Sequence, residues 1–224
     1  MNLLTKLKIA SFFWPKRFEI VELLNVLPEI KKWAMQHRID TQFSDRSQYF
    51  AFLNEIVVGT EPIDFLEFGV YRGDSLKEWA ELNTNANSRF FGFDTFMGLP
   101  DKWLVSRNRG MFSTEGVIPD IRDLRVKVIQ GLFQESLDSF LNRYIRSSRL
   151  VIHADADLYS STLYILTSLS HLLQRGDLIL FDEFCTPPEF KAYSDFVMSY
   201  KVKMEPIAIA TEHGLPLHVA FMFQ

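Results

Sequence analysis

The sequence predicts an α/β fold: a doubly wound, mostly parallel sheet of seven strands behind an N-terminal helical cap. Three observations predict it. Short apolar runs that end in Gly or Asp alternate with helical stretches from residue 64 onward. The polar residues of chemical interest all fall at the ends of those runs, where open α/β sheets bind ligands. The chain of 224 residues is 47% apolar with 21 Phe, enough to bury a core without disulfides or structural metals.

The elements follow in order. From Phe18 to Arg38, Ile20, Leu23, Leu24, Leu27, Ile30, Trp33 and Ala34 recur at helical spacing, and Pro28 predicts a break or kink between two short helices. Residues 48–58 read as another helix. The strand runs are 64–69, 89–94, 126–130, 150–155 and 178–182, with helices expected over 75–82, 135–147, 160–174 and 188–200. Right-handed crossovers between such runs make a parallel sheet with helices on both faces. Runs 206–210 and 217–223, joined by 211–216 with its Gly214, read as a terminal hairpin closing one edge. The predicted organisation is one domain, with 1–58 as a cap or lid on a core of 59–224. The irregular stretch 97–120, rich in Gly and Pro, reads as a lid. Its Trp103, Met111 and Phe112 either line a substrate pocket or pack the loop down.

Composition excludes several classes. A net charge of -4 with scattered Lys and Arg lacks the basic stripe of a nucleic-acid binder, so no nucleic-acid partner is expected. Residues 1–17 carry Lys6 and Lys8 without a sustained apolar core, and no stretch approaches a membrane span. The expectation is a cytoplasmic chain without a membrane partner, with a homo-oligomer left open. The lone Cys185 has no neighbour at zinc-ligand spacing.

The first core strand ends Glu67-Phe-Gly-Val-Tyr-Arg-Gly73 ahead of a helix near Ser75. Glycines there let the backbone approach a ligand at a helix N-terminus. The Gly-x-x-x-Gly spacing departs from the pyrophosphate fingerprint and suits a nucleoside ligand without a diphosphate. Asp94, ending the second strand, is placed either to accept from both hydroxyls of a ribose or to cap the turn 94–98. Further along come His153-Ala-Asp155-Ala-Asp157-Leu-Tyr159 and Phe181-Asp182-Glu183-Phe184. If those strands are adjacent, four carboxylates converge, and a divalent cation such as Mg²⁺ relieves their repulsion. The alternative is that some of these acids cap helices, with Asp157 and Ser160 ahead of 162–174. His153, inside an apolar run, reads as a satisfied core histidine rather than a ligand. Neither His213 nor His218 carries a signal.

Read together, Glu67-Phe-Gly-Val-Tyr-Arg-Gly73, Phe93-Asp-Thr-Phe-Met-Gly-Leu-Pro100, Gly131-Leu-Phe-Gln-Glu-Ser-Leu137, Ala154-Asp-Ala-Asp-Leu-Tyr-Ser-Ser-Thr162 and Phe181-Asp-Glu-Phe184 resemble the macrocin O-methyltransferase family. These are metal-dependent sugar O-methyltransferases. The resemblance covers about residues 60 to 200, with the blocks in order. It implies a class I, Rossmann-like methyltransferase core and S-adenosylmethionine held by Glu67, Gly69, Tyr71, Gly73, Ser75, Asp94, Thr95, Ser136 and Asp155. The ribose would sit on Asp94 and the adenine near Ser136. It also implies Mg²⁺ or another divalent cation on Asp155, Asp182 and Glu183, Asp157 as general base, and a small-molecule hydroxyl acceptor, sugar or catechol-like. Glu183, Asp74 and Met97 depart from the family's usual Asp, small residue and Glu. The rivals are a catechol or phenol methylator, a non-catalytic cofactor-binding module, and a nicotinamide dehydrogenase, the last disfavoured by the missing fingerprint.

Overall fold

The computed structural model describes residues 25–101, 109–212 and 215–224. The opening segment, Trp103 and His213 therefore lie outside the described residues. Its core is one sheet in the order β1-β7-β8-β6-β5-β2-β3-β4. The strands are β1 (Gln42–Phe43), β2 (Ile63–Phe68), β3 (Arg89–Asp94), β4 (Val126–Gln130), β5 (Arg149–Ala154), β6 (Leu178–Phe181), β7 (Met204–Glu212) and β8 (Leu215–Phe223). All pairings are parallel except those of β8 with β6 and β7. The doubly wound sheet and terminal hairpin match expectation. The sheet has eight strands rather than seven, because Gln42 and Phe43 pair with Ile209 and Ala210 at the hairpin's outer edge. A two-residue strand carries no alternation for sequence to register.

The helices are α1 through residues 25–36, α2 (Arg46–Phe52), α3 (Asp74–Leu82), α4 (Phe133–Leu141), α5 (Tyr159–Leu169) and α6 (Pro187–Tyr200). Among the described residues none is long and apolar enough to cross a membrane. Among the described residues α1 continues across Pro28 without a break. Its buried Val26, Ile30 and Trp33 lie on one stripe and join the core. α2 starts where Asp45 accepts from the Ser47 N–H, and it continues as a π-helix, Leu53–Val58.

α4 stops well short of the expected residue 147. Beyond it, the Tyr144 hydroxyl and the Ser147 N–H donate to the buried Asp64 carboxylate at 2.6 and 3.1 Å. Arg89 joins Asp64 at 2.6 Å and donates to the Ile145 carbonyl at 2.9 Å. Satisfying a buried carboxylate outweighs one more helical turn.

β2 is buried at every residue, as a central strand covered on both faces must be. Side chains alternate across it. Leu66 and Phe68 face one core layer with Ile152, Phe181 and Phe221, and Phe65 faces another with Tyr49, Phe50 and Trp79. Strand order reverses between β2 and β5, so the crevice at their carboxyl ends is the sheet's ligand position.

Candidate functional site

A cavity of about 360 Å³ opens at that crevice, within the range that holds small-molecule ligands. Gly69, Tyr71, Asp94, Thr95, Asp155, Asp157, Asp182 and Glu183 line it together with Arg46, Leu132 and Gln134. The carboxyl ends of β2, β3, β5 and β6 thus converge as the alternation implied.

After β2 the chain makes a sharp turn with Gly69 at φ +98, Tyr71 at φ 50 and Gly73 at φ +81. The Gly69 N–H donates to the Phe93 carbonyl at 3.0 Å. A Cβ at Gly69 would stand 1.8 Å from the Asp155 carbonyl oxygen, so only glycine lets β2 and β5 close this tightly. Asp94 serves both the turn and the cavity. Its Oδ2 accepts from the Val70 and Tyr71 N–H groups at 2.9 and 2.8 Å, and its Oδ1 from the Phe96 N–H at 2.7 Å. The same carboxylate faces the cavity, and a carboxylate offers about four lone-pair positions, so acceptor capacity remains.

Four expected cofactor residues do not line the cavity. Gly73 instead begins α3 beneath Pro119 and Ile121. Glu67 is fully buried under the cavity floor, accepting from the Ser75 hydroxyl and meeting His153 Nδ1 at 3.0 Å. Ser75 is spent on that bond, and Ser136 donates to the Leu132 carbonyl at 2.9 Å. The wall near Ser136 comprises Leu132, Phe133 and Gln134.

The expected lid folds back on itself. The Gly110 N–H donates to the Leu99 carbonyl and the Leu99 N–H to the Met111 carbonyl, both at 2.9 Å, and Met97 bridges to Ser113. Gly98, Leu99, Pro100 and Phe112 line the cavity, with Phe112 edge-on to Tyr71 at 5.8 Å.

The acidic side is denser than the sequence indicated. Donor atoms of His153, Asp155 and Asp182 lie within 4.8 Å of one another. Asp182 Oδ1 meets His218 Nδ1 at 2.9 Å, His153 Nε2 at 3.4 Å and the Arg46 guanidinium at 3.6 Å. Burial would raise the Asp182 carboxyl, but His153 and His218 outweigh it and hold it well below the usual carboxylate range. For His153, burial acts downward, while its bonds to Asp182 and Glu67 win and carry it up to about 10. Burial and the neighbouring Asp182 push Asp155 well above its ordinary value. Asp157 sits buried at φ 58, a costly backbone state for a residue with a Cβ. The N-cap position of α5 is Leu158, whose own side chain makes no cap bond.

These residues fit a divalent cation. Both His153 nitrogens are engaged, so within the group of His153, Asp155 and Asp182 the two aspartates are the oxygen donors left for a hard cation, while Glu183 lines the same cavity outside the group. Asp155, crowded toward its neutral form, is the group a cation would restore to its charged state. Sequence reasoning missed Arg46, His218 and Glu189. Glu189 lies fully buried in the first turn of α6, with Oε2 accepting from the Glu183 N–H at 3.0 Å. Its Oε1 and Glu67 Oε2 are buried without a hydrogen-bond partner among the described residues.

A family model described as macrocin-O-methyltransferase (TylF) matches residues 46–212. The structure is similar to the O-methyltransferase NovP at 20% identity, covering 79% of this chain and 78% of that one, with a TM-score of 0.60. It is similar to CalS11, a calicheamicin methyltransferase, at 20% identity over 79% and 78% of the two chains, TM-score 0.62. An O-methyltransferase from Bacillus cereus in complex with SAH is similar at 16% identity, over 98% and 96% of the chains, TM-score 0.56. At these identities the likeness to solved structures shows the fold. No curated protein matches the sequence.

Proposed function

Because the chain belongs to the macrocin O-methyltransferase family, we propose that it transfers the methyl group of S-adenosylmethionine to a hydroxyl of a sugar or related natural product, with Mg²⁺ on Asp155, Asp182 and Glu183. One observation carries this reading: the glycine-hinged loop, Asp94 and the carboxylates of β5 and β6 share a single cavity at the sheet's switch point. The SAH held by the Bacillus cereus relative supports the cofactor, and the calicheamicin methyltransferase supports the acceptor class.

S-adenosylmethionine supplies a sulfonium methyl, and a divalent cation makes a nearby hydroxyl more acidic. Gly69 and Tyr71, the part of the turn that faces the cavity, would cradle the cofactor. Asp94 holds that turn through the Val70 and Tyr71 N–H groups and offers its remaining lone pairs to the ribose. Leu132, Phe133 and Gln134 would wall the adenine end. Asp157 would take the proton of the acceptor hydroxyl as the methyl group passes from sulfur to that oxygen. Of the expected cap, residues 25–58 act as part of the same domain, a reading supported by Arg46 reaching the cavity from α2.

The test is methyl transfer to a panel of sugars and catechols, with Mg²⁺ and with EDTA. Asp157→Asn should lower turnover by about 10²–10⁴-fold with SAH affinity unchanged. Unchanged turnover removes Asp157 as the base, and a wild-type protein that binds no SAH overturns the whole reading.

A further inference from the structure

His218 comes from β8, a strand outside every motif block and 36 residues from Asp182. The register explains their meeting. Val219 pairs with Phe181 across the antiparallel β6–β8 ladder, so the preceding and following residues fall side by side. Alternation then puts Glu67, His153 and Asp182 on the sheet face of His218, beneath Tyr49 and Phe50 of α2.

All three cationic contacts of Asp182 fall on one atom. His218 Nδ1 reaches Oδ1 at 2.9 Å, His153 Nε2 at 3.4 Å and Arg46 at 3.6 Å. An sp² carboxylate oxygen has two lone-pair directions, so two imidazoles fill it. No hydrogen bond among the described residues reaches Oδ2, although Asp182 lines the cavity.

We infer that His218, with His153 beside it, is a positioning residue: the two imidazoles occupy Oδ1 of Asp182 and thereby present Oδ2 to the cavity as a cation ligand. This rests on Asp182 being a ligand in the function proposed above. Ligating carboxylates are themselves held by hydrogen bonds, and losing such support weakens metal binding by about 10–100-fold.

The experiment is calorimetric titration of the full chain, EDTA-stripped, with Mg²⁺ alone and separately with SAH, for wild type, His218→Leu and His218→Asn. The asparagine amide N–H stands where Nδ1–H does. His218→Leu should weaken Mg²⁺ by about 10–100-fold with SAH affinity unchanged, and His218→Asn should recover most of the loss. Wild-type Mg²⁺ affinity in His218→Leu overturns the inference alone. So does equal loss in both variants with SAH binding falling too, which marks a packing role. A wild type that binds SAH but no Mg²⁺ overturns the metal reading, and this inference with it.

Discussion

At Gly69 one absent carbon sets the shape of the cofactor loop. With φ at +98 and the Asp155 carbonyl 1.8 Å from where a Cβ would stand, Gly69→Ala meets both backbone strain and a backbone clash. The strain alone costs about 1–3 kcal/mol, so the variant should show a lower urea midpoint and lose SAH binding in calorimetry. Glu189 makes the opposite case, a residue whose native side chain costs stability. Burial, then Asp182, Asp157 and Glu183, push its carboxyl well above the usual range. Below an unfolded value of about 4.3 both states carry the proton and nothing is lost. As pH rises beyond it, the unfolded chain ionises while the folded one keeps its proton, so stability falls. Glu189→Gln retains an acceptor for the Glu183 N–H without this penalty. Its Tm advantage over wild type in EDTA should therefore grow from pH 4 to pH 8, and a constant or shrinking gap contradicts the argument.

Among the elements, α1 is bound to the core more firmly than a detachable lid would be. The Trp33 ring lies 4.7 Å from Phe184 and 5.8 Å from Phe221, and it meets Phe190 and Tyr193 edge-on. α1 thereby packs on α6 and β8, behind the acidic end of β6. Trp33→Ala should cost about 3–5 kcal/mol of unfolding free energy by urea titration, and a loss below about 1 kcal/mol would mean that α1 is only loosely docked. α2 plays a different part, since it lays Phe50 5.5 Å from the His153 ring and brings Arg46 to the cavity.

For the whole molecule, the reversal of strand order between β2 and β5 makes one crevice, and ligand binding there should be coupled to global stability. SAH at one hundred times its Kd should add about 2.7 kcal/mol and raise the Tm. NAD in the same excess should leave the Tm unmoved, because Gly-x-x-x-Gly offers no pyrophosphate cradle. An equal shift with NAD would favour the dehydrogenase alternative.

Sequence alone was enough for the parallel sheet, its terminal hairpin and which residues end or directly follow the strands, among them Gly69, Asp94, Asp155 and Asp182. Periodicity and backbone sterics are local, so residues close in the chain suffice to express them. Tertiary structure alone decided what those ends do. It turned Glu67 under the floor, kept Ser136 on the Leu132 carbonyl, ended α4 at Leu141 for the sake of Asp64, and set Arg46, His153, His218 and Glu189 around the acids. The physical reason is lateral: neighbours across a sheet are fixed by strand order and register, and His153 meets a carboxylate 86 residues away that no local pattern announces.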